Sequence, residues 1–235
     1  MATQPYLTAP LKTDQMPPGI PYIIGNEAAE RFNFYGMRAV LTVFMTQYLV
    51  NRAGGRDVMS ENEANQWYHW FVASNYLFPM LGAILADAFW GKYRTIFWVS
   101  LIYCAGSLVL AFDHTRLGLG LGLGLIALGS GGIKPCVSSH VGDQFGPANQ
   151  RLLSRAFSWF YFSVNFGSFF SILLIPWLLA HYGPGLAFGV PAGLMLLAAF
   201  VFWQGRHKFA HIPPGGKTFL RDTFNRAGYA AISRL

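Results

Sequence analysis

Read by the spacing of its apolar residues, the chain alternates long hydrophobic stretches with short polar breaks. Six stretches stand out, roughly 27–50, 66–88, 95–112, 117–138, 156–180 and 186–204. Each approaches the about 20 apolar residues a helix needs to cross a hydrocarbon layer about 30 Å thick. The breaks are brief apart from a polar, mildly acidic loop over 51–65. Within the fourth stretch, 117–125 alternates Leu and Gly strictly. In water a period of two suggests a strand. In lipid an isolated strand leaves its backbone unsatisfied, so the segment predicts a helix. As a helix it carries two small-xxx-small pairs, Gly118/Gly122 and Gly120/Gly124, which let neighbouring helices approach closely. The pattern predicts an all-α integral membrane protein: a polar segment 1–22, six spanning helices over 23–204, and a basic tail 205–235 that reads as a linker.

Composition agrees. Hydrophobic residues make up 53% of the chain and charged residues 11%, against about 25% charged in soluble domains. The net charge of +7 would suggest nucleic acid in a soluble protein, but its distribution points to a membrane. With the N-terminus placed inside, eleven Lys and Arg outside the helices fall on that side. Only Arg52, Arg56 and Arg116 fall on the other. This is the positive-inside pattern, so both termini are expected in the cytoplasm. The basic residues are expected to meet anionic lipid rather than nucleic acid. Residues 1–25 lack the apolar core of a signal peptide, so the first helix is expected to direct insertion. Cys104 and Cys136 fall in helical stretches and read as packing residues, with no disulfide.

Ionisable groups inside a bilayer cost about 2.5–3.5 kcal/mol each even on the gentler insertion scale. This chain nevertheless places Glu27, Glu30, Arg31 and Arg38 on its first helix and Lys134 on its fourth. An interfacial position beside the helix N-terminus would explain Glu27 and Glu30 through the helix dipole, but not the deeper Arg38 and Lys134. Glu27 and Arg31 are i,i+4 neighbours, Arg38 continues the same face, and Phe34 and Tyr35 flank it. Burial raises a carboxylate pKa and a nearby cation lowers it. Two carboxylates among three cations can therefore take up and release a proton as pairing changes. The Gly129–Pro135 stretch GSGGIKP is no phosphate loop, since Lys134 is followed by Pro rather than Ser or Thr.

The stretch EAAERFNFYGMR from Glu27 to Arg38 closely resembles the proton-coupled oligopeptide transporters of the major facilitator superfamily, whose first helix carries E-x-x-E-R. The similarity continues in GAILADAFWGKYRTI from Gly82, in GGIKPC from Gly131 with GDQF from Gly142, and in FYFSVNFGS from Phe160. It runs from about residue 20 to 205. Phe166 and Phe34 depart from the family pattern, and Phe34 cannot donate the hydroxyl hydrogen bond of the more frequent Tyr. The resemblance implies the six-helix N-terminal bundle of the major facilitator fold, built from two inverted three-helix repeats, and symport of di- and tripeptides with protons as coupling ion and no other cofactor. It implies proton coupling by Glu27, Glu30 and Arg31, with Lys134 as their ion-pair partner and His69 as a further proton group. Arg31, Arg38 and Lys134 would attract the peptide carboxylate, while Tyr35, Tyr76 and Asn165 would bind its backbone. Asp87 and Lys92 would belong to a gating loop, or simply solvate a helix end. His69 would otherwise be one member of an aromatic belt with Trp67, Tyr68 and Trp70. Members of that family are about twice as long, so the chain reads as one wall of the cavity, with the second six-helix bundle as its missing partner.

Other functions fit less well. An intramembrane serine protease needs a Gly-x-Ser-Gly helix and a later membrane His, and Ser130 has Leu128 two positions earlier and no base. A relative carrying nitrate or another small anion would be expected to lose E-x-x-E-R, which is intact. A non-transporting peptide sensor or scaffold would leave the membrane charges without a task.

The charge bias predicts sidedness directly. In a chain freed of Cys104 and Cys136 by Ser substitution, a cysteine at Arg52 should react with an impermeant maleimide on intact cells. One at Lys12 should react only after permeabilisation, and the reverse pattern would invert the topology.

Overall fold

A computed structural model describes residues 6–216. Six long helices follow one another: α1 Ile20–Gln47, α2 Glu61–Leu85, α3 Lys92–Phe112, α4 Arg116–Gly142, α5 Leu153–Tyr182 and α6 Pro184–Gln204. α2 to α6 are each long and apolar enough to cross a membrane, whereas α1 carries the four charges noted above. Their packing has an internal symmetry. α1 packs on α5 and α2 on α4, α3 on α4 and α1 on α6, and α3 on α6. Exchanging α1 with α4, α2 with α5 and α3 with α6 maps this pattern onto itself, as two three-helix repeats require.

Local sequence sets the ends. α1 starts at Ile20, with Pro in its first turn, where a missing N–H costs nothing. It therefore begins seven residues before the apolar stretch, and Glu27 and Glu30 lie about two and three turns inside it. The helix dipole cannot account for them there. Ser60 caps α2 by accepting from the Glu63 N–H at 3.3 Å, with Glu61 and Glu63 in the first turn, where acids suit the helix dipole. The loop ahead of α2 is tied down by Arg116, which pairs with Asp57 at 3.1 Å and with Glu63. A π-helical turn, Ala86–Trp90, ends at Gly91 with φ +77°, and the chain restarts as α3.

Glycine sets how closely the helices approach. A Cβ on Gly82 would stand 2.5 Å from Gly132 Cα and 2.9 Å from the Gly131 carbonyl. That carbonyl is the one Pro135 cannot satisfy, since a proline has no N–H to return to residue i−4. Of the two glycine pairs read from the alternating segment, only Gly118/Gly122 is packed. A Cβ on Gly122 would meet Leu110 at 2.6 Å, while Gly120 has only the Trp67 ring at 3.6 Å and Gly124 nothing within 4 Å. The period of two placed both pairs on one helix but could not show which face meets α3.

The tail corrects a second expectation. As far as Gly216 it is docked on the bundle rather than loose. Phe209 is fully buried. The Gln144 side chain accepts from the Ala210 N–H at 2.8 Å and donates to its carbonyl at 3.4 Å. The His211 N–H donates to Leu7 O at 2.6 Å, and the Gly215 N–H to Asp87 O at 2.8 Å. Burial beside Tyr6 and Tyr93 holds the His211 pKa below its usual value. Lys217, Arg221, Arg226 and Arg234 lie outside the described residues. Cys104 and Cys136 are buried and free.

The backbone contact at Gly82 predicts a sharp contrast between two glycines. Gly82→Ala should destabilise the bundle by about 1–3 kcal/mol through overpacking. Gly124→Ala should be neutral or stabilising, because it meets no neighbour. Thermal unfolding in detergent measures both, and equal melting temperatures would contradict the close approach.

Candidate functional site

The charges read from the sequence converge where α1, α2 and α4 meet. Glu27 and Glu30 are 1% and 0% exposed. Arg31 lies between them, its Nε 2.6 Å from Glu27 Oε1 and 3.2 Å from Glu30 Oε2. The i,i+4 spacing carries the first of these contacts; the second joins adjacent residues. Ser130 on α4 donates its hydroxyl to Glu30 Oε1 at 3.0 Å. One arginine thus holds two carboxylates together, and a second helix fixes one of them.

Beside this cluster lies a cleft of about 460 Å³, lined by Arg31, Phe34, Tyr35, Arg38, Tyr76 and Lys134, among others. Arg38 donates to the Tyr68 hydroxyl from Nη2 at 2.7 Å and from Nε at 3.2 Å. Its guanidinium also stands 5.6 Å from the Phe34 ring centre. Lys134 Nζ lies over the same ring, 4.1 Å from its centre. Apolar grooves of about 400 Å³ flank α1, one against α5 and α6 and one against α5, without an ionisable side chain in their lining.

Several expected roles change. Lys134 makes no ion pair within 4.0 Å among the described residues; it rests on Phe34, because Arg31 already occupies the space between the two carboxylates. His69 is exposed on α2 and faces the Tyr68 ring at 5.7 Å, so it does not join Glu27 and Glu30. Asn165 is exposed on α5 and spends its amide on Tyr161 O at 2.8 Å, outside the cleft lining. Tyr35 and Tyr76 do line it. Asp87 and Lys92 do not pair with each other. Lys92 Nζ binds both oxygens of Asp143, at 2.8 and 3.0 Å, and Asp87 sits in the π-helical turn, its carbonyl holding the tail.

Three participants escaped sequence reasoning. Tyr68 lies thirty positions from Arg38, and no local pattern links them. Ser130 drew notice only as a nucleophile, though it lies one helical turn before Lys134 on the same face. Asp143 stands within the quoted GDQF, and its acid was the visible signal.

A family model described as the POT family matches residues 93–235. The chain belongs to the POT family. "Peptide transporter family 1" of Drosophila melanogaster is 42% identical over 223 residues, covering 86% of this chain and 29% of that protein. "Solute carrier family 15 member 1" of Homo sapiens is 38% identical over 226 residues, covering 85% and 31%. The crystal structure of the POT family transporter PepTSo superposes with a TM-score of 0.79 at 48% identity, over 86% of this chain and 40% of that one. This POT-family chain thus spans less than half the length of these relatives. Its six helices have the fold of the matching part of those transporters, and it is an integral multi-pass membrane protein.

The Lys92–Asp143 pair is partly exposed, at 22% and 18%, so its coupling should be modest. A double-mutant cycle with Lys92→Ala and Asp143→Ala should give up to about 1 kcal/mol, read by thermal unfolding in detergent. Additive effects would remove the pair from the fold's support.

Proposed function

We propose that this bundle forms one wall of a proton-coupled symporter of di- and tripeptides, working against a second six-helix bundle around a shared site. The observation that carries the reading is Arg31 clasped by Glu27 and Glu30 at the edge of a cleft whose other cations, Arg38 and Lys134, have no carboxylate partner among the described residues. A peptide carboxylate entering the cleft would find Arg38 on Tyr68 and Lys134 on Phe34, neither with a counter-ion among the described residues. Tyr35 and Tyr76 would meet its backbone. Protonation of Glu27 or Glu30 loosens the clasp on Arg31, so proton binding and substrate contact become linked through one side chain. Alternating access follows by rocking of the two bundles about the site. Protons are the coupling ion, and the reading assigns no catalytic group and no other cofactor. The Lys92–Asp143 pair and the Asp87 turn would hold the cytoplasmic end.

The test is uptake of a labelled dipeptide into proteoliposomes containing the complete transporter. Glu27→Gln or Glu30→Gln should abolish acceleration by an inward proton gradient while counterflow stays measurable, since exchange moves no net proton. Arg31→Ala should abolish both, because removing one partner of a buried ion pair costs about 3–5 kcal/mol. Proton-driven uptake surviving in both glutamate variants would move the coupling site elsewhere.

A further inference from the structure

Behind the cleft, a buried polar ladder joins α1 to α3. These helices run in the same direction, with Asn33 beside Ser107 and, further along, Phe44 beside His114. The Asn33 amide Nδ2 donates to the Ser107 hydroxyl at 3.0 Å, and that hydroxyl donates back to Asn33 Oδ1 at 3.2 Å. The two residues are 74 positions apart, and so are Asn26 and Ser100. Asn26 and Ser100 therefore occupy the corresponding positions two turns, about 10.5 Å, nearer the start of each helix.

That rung is open. Asn26 Nδ2 and Oδ1 and Ser100 Oγ are buried without a hydrogen-bond partner among the described residues, as are the Tyr103 hydroxyl and Glu30 Oε2 between the rungs. Asn26, Glu30, Ser100 and Tyr103 are each no more than 1% exposed. Ser100 is the most telling of them. A hydroxyl in a helix commonly returns to a carbonyl one turn back, as Thr95, Ser158 and Ser168 do here. Ser100 does not. Buried polar atoms are almost always bonded, and a site offering donors and acceptors together suits bound water. Glu30 is not part of the cleft lining, and its Oε2, 3.2 Å from Arg31 Nε, takes part in no hydrogen bond among the described residues.

We propose that Asn26, Ser100, Tyr103 and Glu30 hold a short file of water between α1 and α3, through which the Glu30 carboxyl exchanges its proton without opening the cleft. The exchange role rests on the transporter reading; the hydration does not. The step moves protons only. The carboxyl O–H bond breaks as an O–H bond forms on the adjacent water, which passes a proton to the next, and Glu30 is left as carboxylate. The titratable and charged groups facing Glu30 are Glu27 and Arg31 on its own helix, Tyr103 on α3, and Lys134 on α4. Asn26, Ser100 and Tyr103 are positioning residues that order the water.

X-ray radiolytic labelling of the purified protein in isotopically marked water tests the file directly. Tyr103 should be hydroxylated despite its burial, whereas Phe44, equally buried, should not. Asn26→Leu with Ser100→Ala should abolish the Tyr103 label and leave exposed Tyr76 labelled as a control for folding. Ser100→Ala alone serves if the double variant fails that control. In proteoliposomes the same variants should slow proton-driven dipeptide uptake about a hundredfold, the lower end of what positioned proton transfer contributes, with counterflow unchanged. A Tyr103 as inert as Phe44 overturns the water file. A labelled Tyr103 with proton-driven uptake unaffected overturns the exchange role, as does equal loss of uptake and counterflow. If the unmodified transporter moves no peptide, the transporter reading fails while the labelling result stands.

Discussion

Everything in this bundle is arranged around one need: two carboxylates and an arginine that cannot be left unpaired away from water. Glu27 and Glu30 are inside the protein, and an isolated carboxylate there would be far too costly to keep ionised. Arg31 meets both, and Ser130 reaches across from α4 to hold the second. The contact to Ser130 requires α4 to lie close to α1, and α4 is held in turn by the glycine contacts to α2 and α3. Gly82 against Gly131 and Gly132, and Gly129 against Tyr103, are thus conditions for the charge cluster as much as for the fold. Pro135 belongs to the same arrangement, because the carbonyl it leaves free faces the gap where α2 comes nearest.

The sequence disclosed the architecture well because lipid leaves few choices. Long apolar stretches must be helices, so their number, order and composition could be read directly. The ends were read less accurately. α1 begins at Ile20 because a proline can start a helix, a signal that hydropathy does not carry. The site was legible where chemistry is local: Glu27, Glu30 and Arg31 share one helix at the expected spacing, and Arg38 lies along the same face. It was not legible where partners come from other helices. Lys134 resting on Phe34, Arg38 on Tyr68 and Lys92 on Asp143 depend on which faces meet. One-dimensional spacing within a helix says nothing about that. His69 and Asn165 carry the right chemistry but point elsewhere.

The described part of the tail shows a related limit. Pro213, Pro214, Gly215 and Gly216 read as a linker by composition, yet Phe209 before them is a core residue and Gln144 grips the Ala210 peptide from both sides. A single buried aromatic in a polar stretch is enough to anchor it. The effect is to connect α4, α6, the N-terminal segment and the π-helical turn at one end of the bundle, next to the Lys92–Asp143 pair.

The seat of Lys134 has a consequence of its own. A cation held on a ring face gives none of its three N–H donors to an anion. With Phe34 rather than a tyrosine beneath it, no hydroxyl competes for those donors either. The donors of Lys134 are therefore available to a ligand without breaking a hydrogen bond or ion pair made among the described residues. The only motion needed to engage an anion is the swing of one flexible side chain from ring to ligand, with every helix left where it stands.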